Sequence, residues 1–63
     1  MKYEDLKVGD LIRLRGDKNY YKVIEKLENC FMVISFDALD PIRWMLREWL
    51  EMTNYEKVTE ENI

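Results

Sequence analysis

IRWMLREWLEMT, Ile42 to Thr53, decides the fold, because its apolar residues satisfy two periods at once. Read as a helix, the segment has Asp40 as N-cap and Pro41 in the first turn, with Ile42, Met45, Leu46, Trp49 and Leu50 on one face. Read as a strand, Ile42, Trp44 and Leu46 alternate with Arg43, Met45 and Arg47, and a short helical turn follows over Glu48 to Met52. The local signals lean to the helix. The surroundings lean to the strand: a sheet predicted upstream needs closing, and Tyr55 to Val58 reads as a last short strand pairing back. The expected fold is therefore mainly β, a small five-stranded barrel with a short helical turn near residues 47–52. The alternative is a three-stranded antiparallel sheet packed by one helix over residues 41–52.

The upstream sheet comes from a plain alternation. Leu11 to Arg15 reads as a first strand after the Gly9-Asp10 turn signal, and Gly16 to Asn19 as a polar hairpin loop. Tyr20 to Phe36 reads as two strands joined by Glu28-Asn29. A four-residue loop would set Arg15 opposite Tyr20, Leu14 opposite Tyr21, Arg13 opposite Lys22 and Ile12 opposite Val23. A two-residue turn would set Leu27 opposite Cys30, Glu25 opposite Met32, Val23 opposite Ile34 and Tyr21 opposite Phe36. Ile12, Leu14, Tyr21, Val23, Leu27, Cys30, Met32, Ile34 and Phe36 then share the core face. Leu11, Ile24, Phe31 and Val33 fall on the other face beside Arg13, Lys22 and Lys26. Glu25 sits badly on the core face, and a bulge near Ile24 would turn it outward. Met1 to Val8 is expected to lie across one end of the sheet.

Composition narrows the class. The chain has 63 residues, 48% of them hydrophobic and 13% aromatic, enough apolar surface for one folded domain and one thin core. We expect that core over residues 6–58, with 59–63 frayed. No run approaches the roughly 18 apolar residues of a membrane span, and MKYEDLKVGD lacks the apolar centre of a signal peptide, so a cytoplasmic protein is expected. The single cysteine, Cys30, reads as a buried strand thiol. Formal charge is −3 overall. Residues 1–27 hold seven Lys/Arg against five Asp/Glu, and residues 28–63 three against eight. Such a split suits solvated mixed faces and also the steering of a charged partner.

LKVGDLIRLRG (Leu6 to Gly16), YYKVIEKLEN (Tyr20 to Asn29) and REWLEMTNYEKV (Arg47 to Val58) together resemble small SH3-like barrel proteins, including KOW-type and phage or plasmid accessory modules. The resemblance implies a Gly-Asp turn before strand one, a Val-rich second strand and a helical turn before the last strand. It implies a binding module rather than a catalyst, of the kind phages and mobile elements carry as inhibitors or accessory factors of host proteins. The chain departs from the ribosomal and transcription-factor members in being acidic and in lacking their glycine-rich loop after strand one.

The side-chain inventory argues against an enzyme. There is no His, one apparently buried Cys, a single Ser in a strand, and no glycine-rich phosphate loop. Asp37 and Asp40 could approach each other, but turn formation and capping account for them. No ligand set for zinc or calcium and no cofactor motif stands in the chain. The expected function is non-enzymatic protein binding. Its candidate residues are Leu11, Ile24, Phe31 and Val33 with Trp44 and Trp49, at least one of the two tryptophans being expected in the core. The alternative is nucleic-acid binding through Arg13, Arg15, Tyr20 and Lys22, basic groups around an aromatic ring on one hairpin face. A sequence pI of about 4.9 weighs against that alternative. The carboxylates Glu48, Glu51, Glu56, Glu60 and Glu61 offer a further variant, competition for a partner's nucleic-acid groove. A monomer or weak homodimer with a protein partner is expected.

Overall fold

The computed structural model describes residues 1–36 and 41–59. Its elements are a 3-10 turn (Tyr3–Asp5), β1 (Leu11–Leu14), β2 (Tyr20–Lys26), β3 (Cys30–Ser35), β4 (Ile42–Leu46), α1 (Arg47–Met52) and β5 (Tyr55–Lys57). The strands form one antiparallel sheet in the order β4-β3-β2-β1-β5. Ile42 to Leu46 is thus a strand, and the alternative with a helix over residues 41–52 is overturned. The sheet is open, with β4 and β5 as its edges and no pairing between them. The expectation for Asp37 and Asp40 lies outside the described residues, as does that of a frayed end over 59–63 from residue 60 on.

Pairing with β3 is what turns the ambiguous segment into a strand. In that register Met45 lies opposite Phe31 and packs against the core, while Trp44 lies opposite Met32 on the outer side. From Arg47 the chain coils for six residues and buries Leu50 completely. No side chain caps this helix, so Leu50 holds it, with about 1.5–3 kcal/mol from burying a leucine.

Gly9 supplies the backbone for the first turn. Asp10 N–H donates to the Lys7 carbonyl at 3.0 Å, and Gly9 takes φ +98° at the third position, as a type II turn requires. The Asp10 carboxylate accepts the Lys7 N–H at 2.8 Å and meets Lys57 Nζ at 3.2 Å, tying the turn to β5. Gly16, at φ +87°, plays the same part in the turn from Leu14 to Asp17. This early turn shifts the β1–β2 register by two residues from the expected one: Leu11 faces Lys22, Ile12 faces Tyr21 and Arg13 faces Tyr20. An even shift leaves every side chain on its expected face.

β2–β3 behaves differently. Tyr21 faces Ser35 and Val23 faces Val33, but beyond Ile24 the register slips, so that Glu25 faces Met32 and Lys26 faces Phe31. The bulge expected at Ile24 is present, and Glu25 is exposed. One extra residue also reverses the parity of β3 relative to the first part of β2. Phe31 and Val33 are therefore core residues with no exposure, not outer-face ones. Cys30, Met32, Ile34 and Phe36, expected inside, face outward. The core consists of Tyr3, Leu6, Ile12, Val23, Phe31, Val33 and Leu50, with Met1, Tyr21, Met45 and Tyr55 packed against it.

The N-terminal turn closes one end of this core. Tyr3 is buried, its ring 5.9 Å from that of Phe31, and its hydroxyl lies 2.5 Å from the Leu27 carbonyl oxygen and 2.6 Å from that of Cys30. Lys26, turned inward by the bulge, donates from Nζ to the Tyr3 and Leu6 carbonyls at 2.9 and 2.8 Å. Its ammonium and the Arg47 guanidinium stand 4.6 and 5.2 Å from the Tyr3 ring centroid, within cation–π range.

Candidate binding surfaces

The residues singled out by their chemistry separate into three places. Leu11, Arg13, Tyr20 and Lys22 share the outer side of β1 and β2, as their alternation requires. Arg13 does not face Lys22. Its guanidinium stands 5.9 Å from the Tyr20 ring centroid, and its Nε donates to Glu56 Oε1 at 2.9 Å. That bond, above all, raises the Arg13 pKa from its ordinary value. Arg15 is exposed in the turn after β1, and Ile24 is half-buried at the bulge. The basic face therefore exists as a surface, with its central cation already engaged by a carboxylate.

Phe31 and Val33 leave the set altogether, being inside the core. They cannot touch a partner while the domain is folded.

Trp44 and Trp49 are 52% and 55% exposed. The expectation that at least one tryptophan is core is overturned, because strand parity turns Trp44 outward and the short helix spends its one buried position on Leu50. Both line a cleft of about 420 Å³ between the open edges, together with Tyr21, Arg43, Met45, Leu46 and Tyr55. Trp49 Nε1 donates to the Tyr55 hydroxyl at 3.4 Å, a long bond that orients the two rings across the mouth. Arg43 is exposed and has no ion pair among the described residues. An aromatic-walled cleft with one unneutralised guanidinium can hold an apolar segment carrying a carboxylate.

Tyr21, Arg43, Met45, Leu46 and Tyr55 are not legible in the sequence as site residues. Their only signal was membership of predicted strands, and the open seam between β4 and β5 is what assembles them. A larger depression of about 670 Å³, lined by Met1, Glu4, Asp5, Lys7, Tyr55, Glu56 and Lys57, gathers charges of both signs without an aromatic floor beyond Tyr55.

Among the described residues no group of three or more His, Cys, Asp or Glu side chains is placed to hold a metal ion. No described helix is long and apolar enough to cross a membrane. Compared with known protein families, with curated proteins and with solved structures, the chain matches none.

Proposed function

We propose that this chain is a non-enzymatic protein-binding module that receives a partner segment in the cleft between β4 and β5. The observation that carries this reading is the pair of half-exposed tryptophans, Trp44 on the unpaired edge strand β4 and Trp49 on the helix that follows it. Natural domains rarely leave such an edge both apolar and open unless something pairs with it. Ile42 and Trp44 extend the argument to the backbone. Ser35 and Asn29 pair with Pro41 and Arg47, and antiparallel alternation then turns the main-chain groups of Ile42 and Trp44 away from β3, toward the open side. An incoming extended segment gains main-chain hydrogen bonds there and aromatic contacts from Trp49, Tyr55 and Tyr21.

The strand order and the short helix between β4 and β5 support relating the fold to SH3-like modules, here with an open seam. An inhibitory or accessory role of the kind phage and mobile-element proteins play, exercised in the cytoplasm, rests on that relation alone. Nucleic-acid binding draws less support, since Glu56 already occupies Arg13 and only Arg15, Tyr20 and Lys22 remain for a phosphate backbone.

Affinity capture from host extract with the wild-type chain, Trp49→Ala and Arg43→Glu tests the reading. We expect one protein captured stoichiometrically by the wild type, insensitive to nuclease, and lost with either variant while circular dichroism is unchanged. Nuclease-sensitive capture, or capture indifferent to both variants, would sink it.

A further inference from the structure

The outer side of the β3–β4 pair is a second surface, which meets the cleft at Trp44 and Leu46. Three cross-strand pairs, Cys30 with Leu46, Met32 with Trp44 and Ile34 with Ile42, lie on it without a charge among them. Ile42, Trp44 and Leu46 are 51%, 52% and 63% exposed, and Phe36 beyond the end of β3 is 61% exposed. The other side of β3 carries Phe31 and Val33, fully buried, so β3 is apolar on both faces, while β4 turns the exposed Arg43 to that side. A strand with two apolar faces is the pattern of one covered on both.

At these exposures Ile42, Trp44, Leu46 and Phe36 leave on the order of 500 Å² of residue surface in water. That is near the upper end of the largest patch on a typical monomer, and most of the roughly 800 Å² that one partner contributes to a standard interface. The rim identifies the occupant. Next to the stripe on β2 stand Lys22, opposite Ile34, and Glu25, opposite Met32. Both are exposed, and neither has an ion pair among the described residues. A patch that pairs with itself across a two-fold axis must carry both members of each complementary pair, and an apolar centre flanked by one free cation and one free anion meets that condition.

We propose that this face is the interface of a homodimer. The two β3–β4 faces pack sheet on sheet about 10 Å apart, with Trp44 near the axis and Lys22 of one copy against Glu25 of the other. Trp44 and Leu46 also line the cleft, so dimerisation and occupation of the cleft draw on the same two side chains.

Sedimentation velocity of the full chain across the micromolar to millimolar range tests this, with circular dichroism as the folding control. The wild type should show a concentration-dependent monomer–dimer equilibrium, and Trp44→Glu should weaken it by roughly tenfold or more, as expected of a central anchor. Lys22→Glu alone should weaken it several-fold by setting carboxylates against each other, and adding Glu25→Lys should restore it. The charge reversal involves only exposed side chains, so it remains decisive if Trp44→Glu fails to fold. A chain that is monomeric throughout, a dimer indifferent to Trp44→Glu in a folded variant, or a double charge reversal no stronger than the single one would each overturn the proposal.

Discussion

Replacing Tyr3 with phenylalanine removes one oxygen from the place where the N-terminal turn meets the sheet. The ring remains 3% exposed against Phe31, and the cations of Lys26 and Arg47 keep an aromatic face to rest on. What is lost is the hydroxyl proton shared between the Leu27 and Cys30 carbonyls. The Cys30 carbonyl retains the Leu27 N–H at 2.8 Å, so the loss amounts to one part-buried acceptor left without its partner, about 1–2 kcal/mol. For a domain of this size each kcal/mol moves the melting temperature by about 4–8 °C, so Tyr3→Phe should melt roughly 4–15 °C below the wild type.

The pH dependence carries a second signature. Burial, reinforced by Cys30 and opposed by Arg47, raises the Tyr3 pKa above 10.0. A group whose folded pKa is raised contributes stability that is complete below its unfolded pKa and is lost as pH rises through the folded value. The gap between wild type and Tyr3→Phe should therefore hold through neutral pH and narrow above about pH 10, where the unfolded tyrosine ionises. Urea denaturation followed by circular dichroism at several pH values reads both effects. A Tyr3→Phe midpoint equal to the wild type at neutral pH would refute the docking of the N-terminal turn on which this reasoning stands.

Three further outcomes probe the sheet. Phe31→Ala should cost about 3–5 kcal/mol in chemical denaturation and Ile34→Ala less than half as much, and the opposite ranking would mean a β2–β3 ladder without its bulge. Deleting Ile24 should leave Val23 opposite Val33 and Glu25 opposite Met32, giving a folded chain weakened by about 1–2 kcal/mol; the Val23–Val33 contact can be followed by nuclear Overhauser effects. Gly9→Ala should cost about 1–2 kcal/mol by thermal melting, all of it backbone strain at φ +98°, because an added Cβ meets nothing within 4 Å.

Several elements were readable in the chain by itself, each from a local cause. Alternation over Leu11 to Arg15 and Tyr20 to Phe36 marks strands, Gly9 and Gly16 mark turns that need positive φ, and Glu28-Asn29 marks a tight connection. Glu25, a charge on a predicted core face, even announced the bulge at Ile24. The consequence of that bulge was not readable. A period-two pattern in a strand as apolar as CFMVIS fits either face equally well; the simple register puts Phe31 and Val33 outside, and only the bulged pairing with the neighbouring strand sets the parity that buries them. The segment Ile42 to Thr53 shows the same division. Its residues allow a helix or a strand followed by a helical turn; pairing with β3 and burial of Leu50 select the second. The candidate surfaces lie furthest from the sequence. Trp44 and Trp49 were visible as binding residue types, but the cleft they share with Tyr21, Arg43 and Tyr55 exists only because β4 and β5 end as unpaired edges. Local backbone preference and hydrophobic period act over a few residues and are written in the chain; strand parity and the position of an open edge depend on which strands meet, and only the folded sheet decides that.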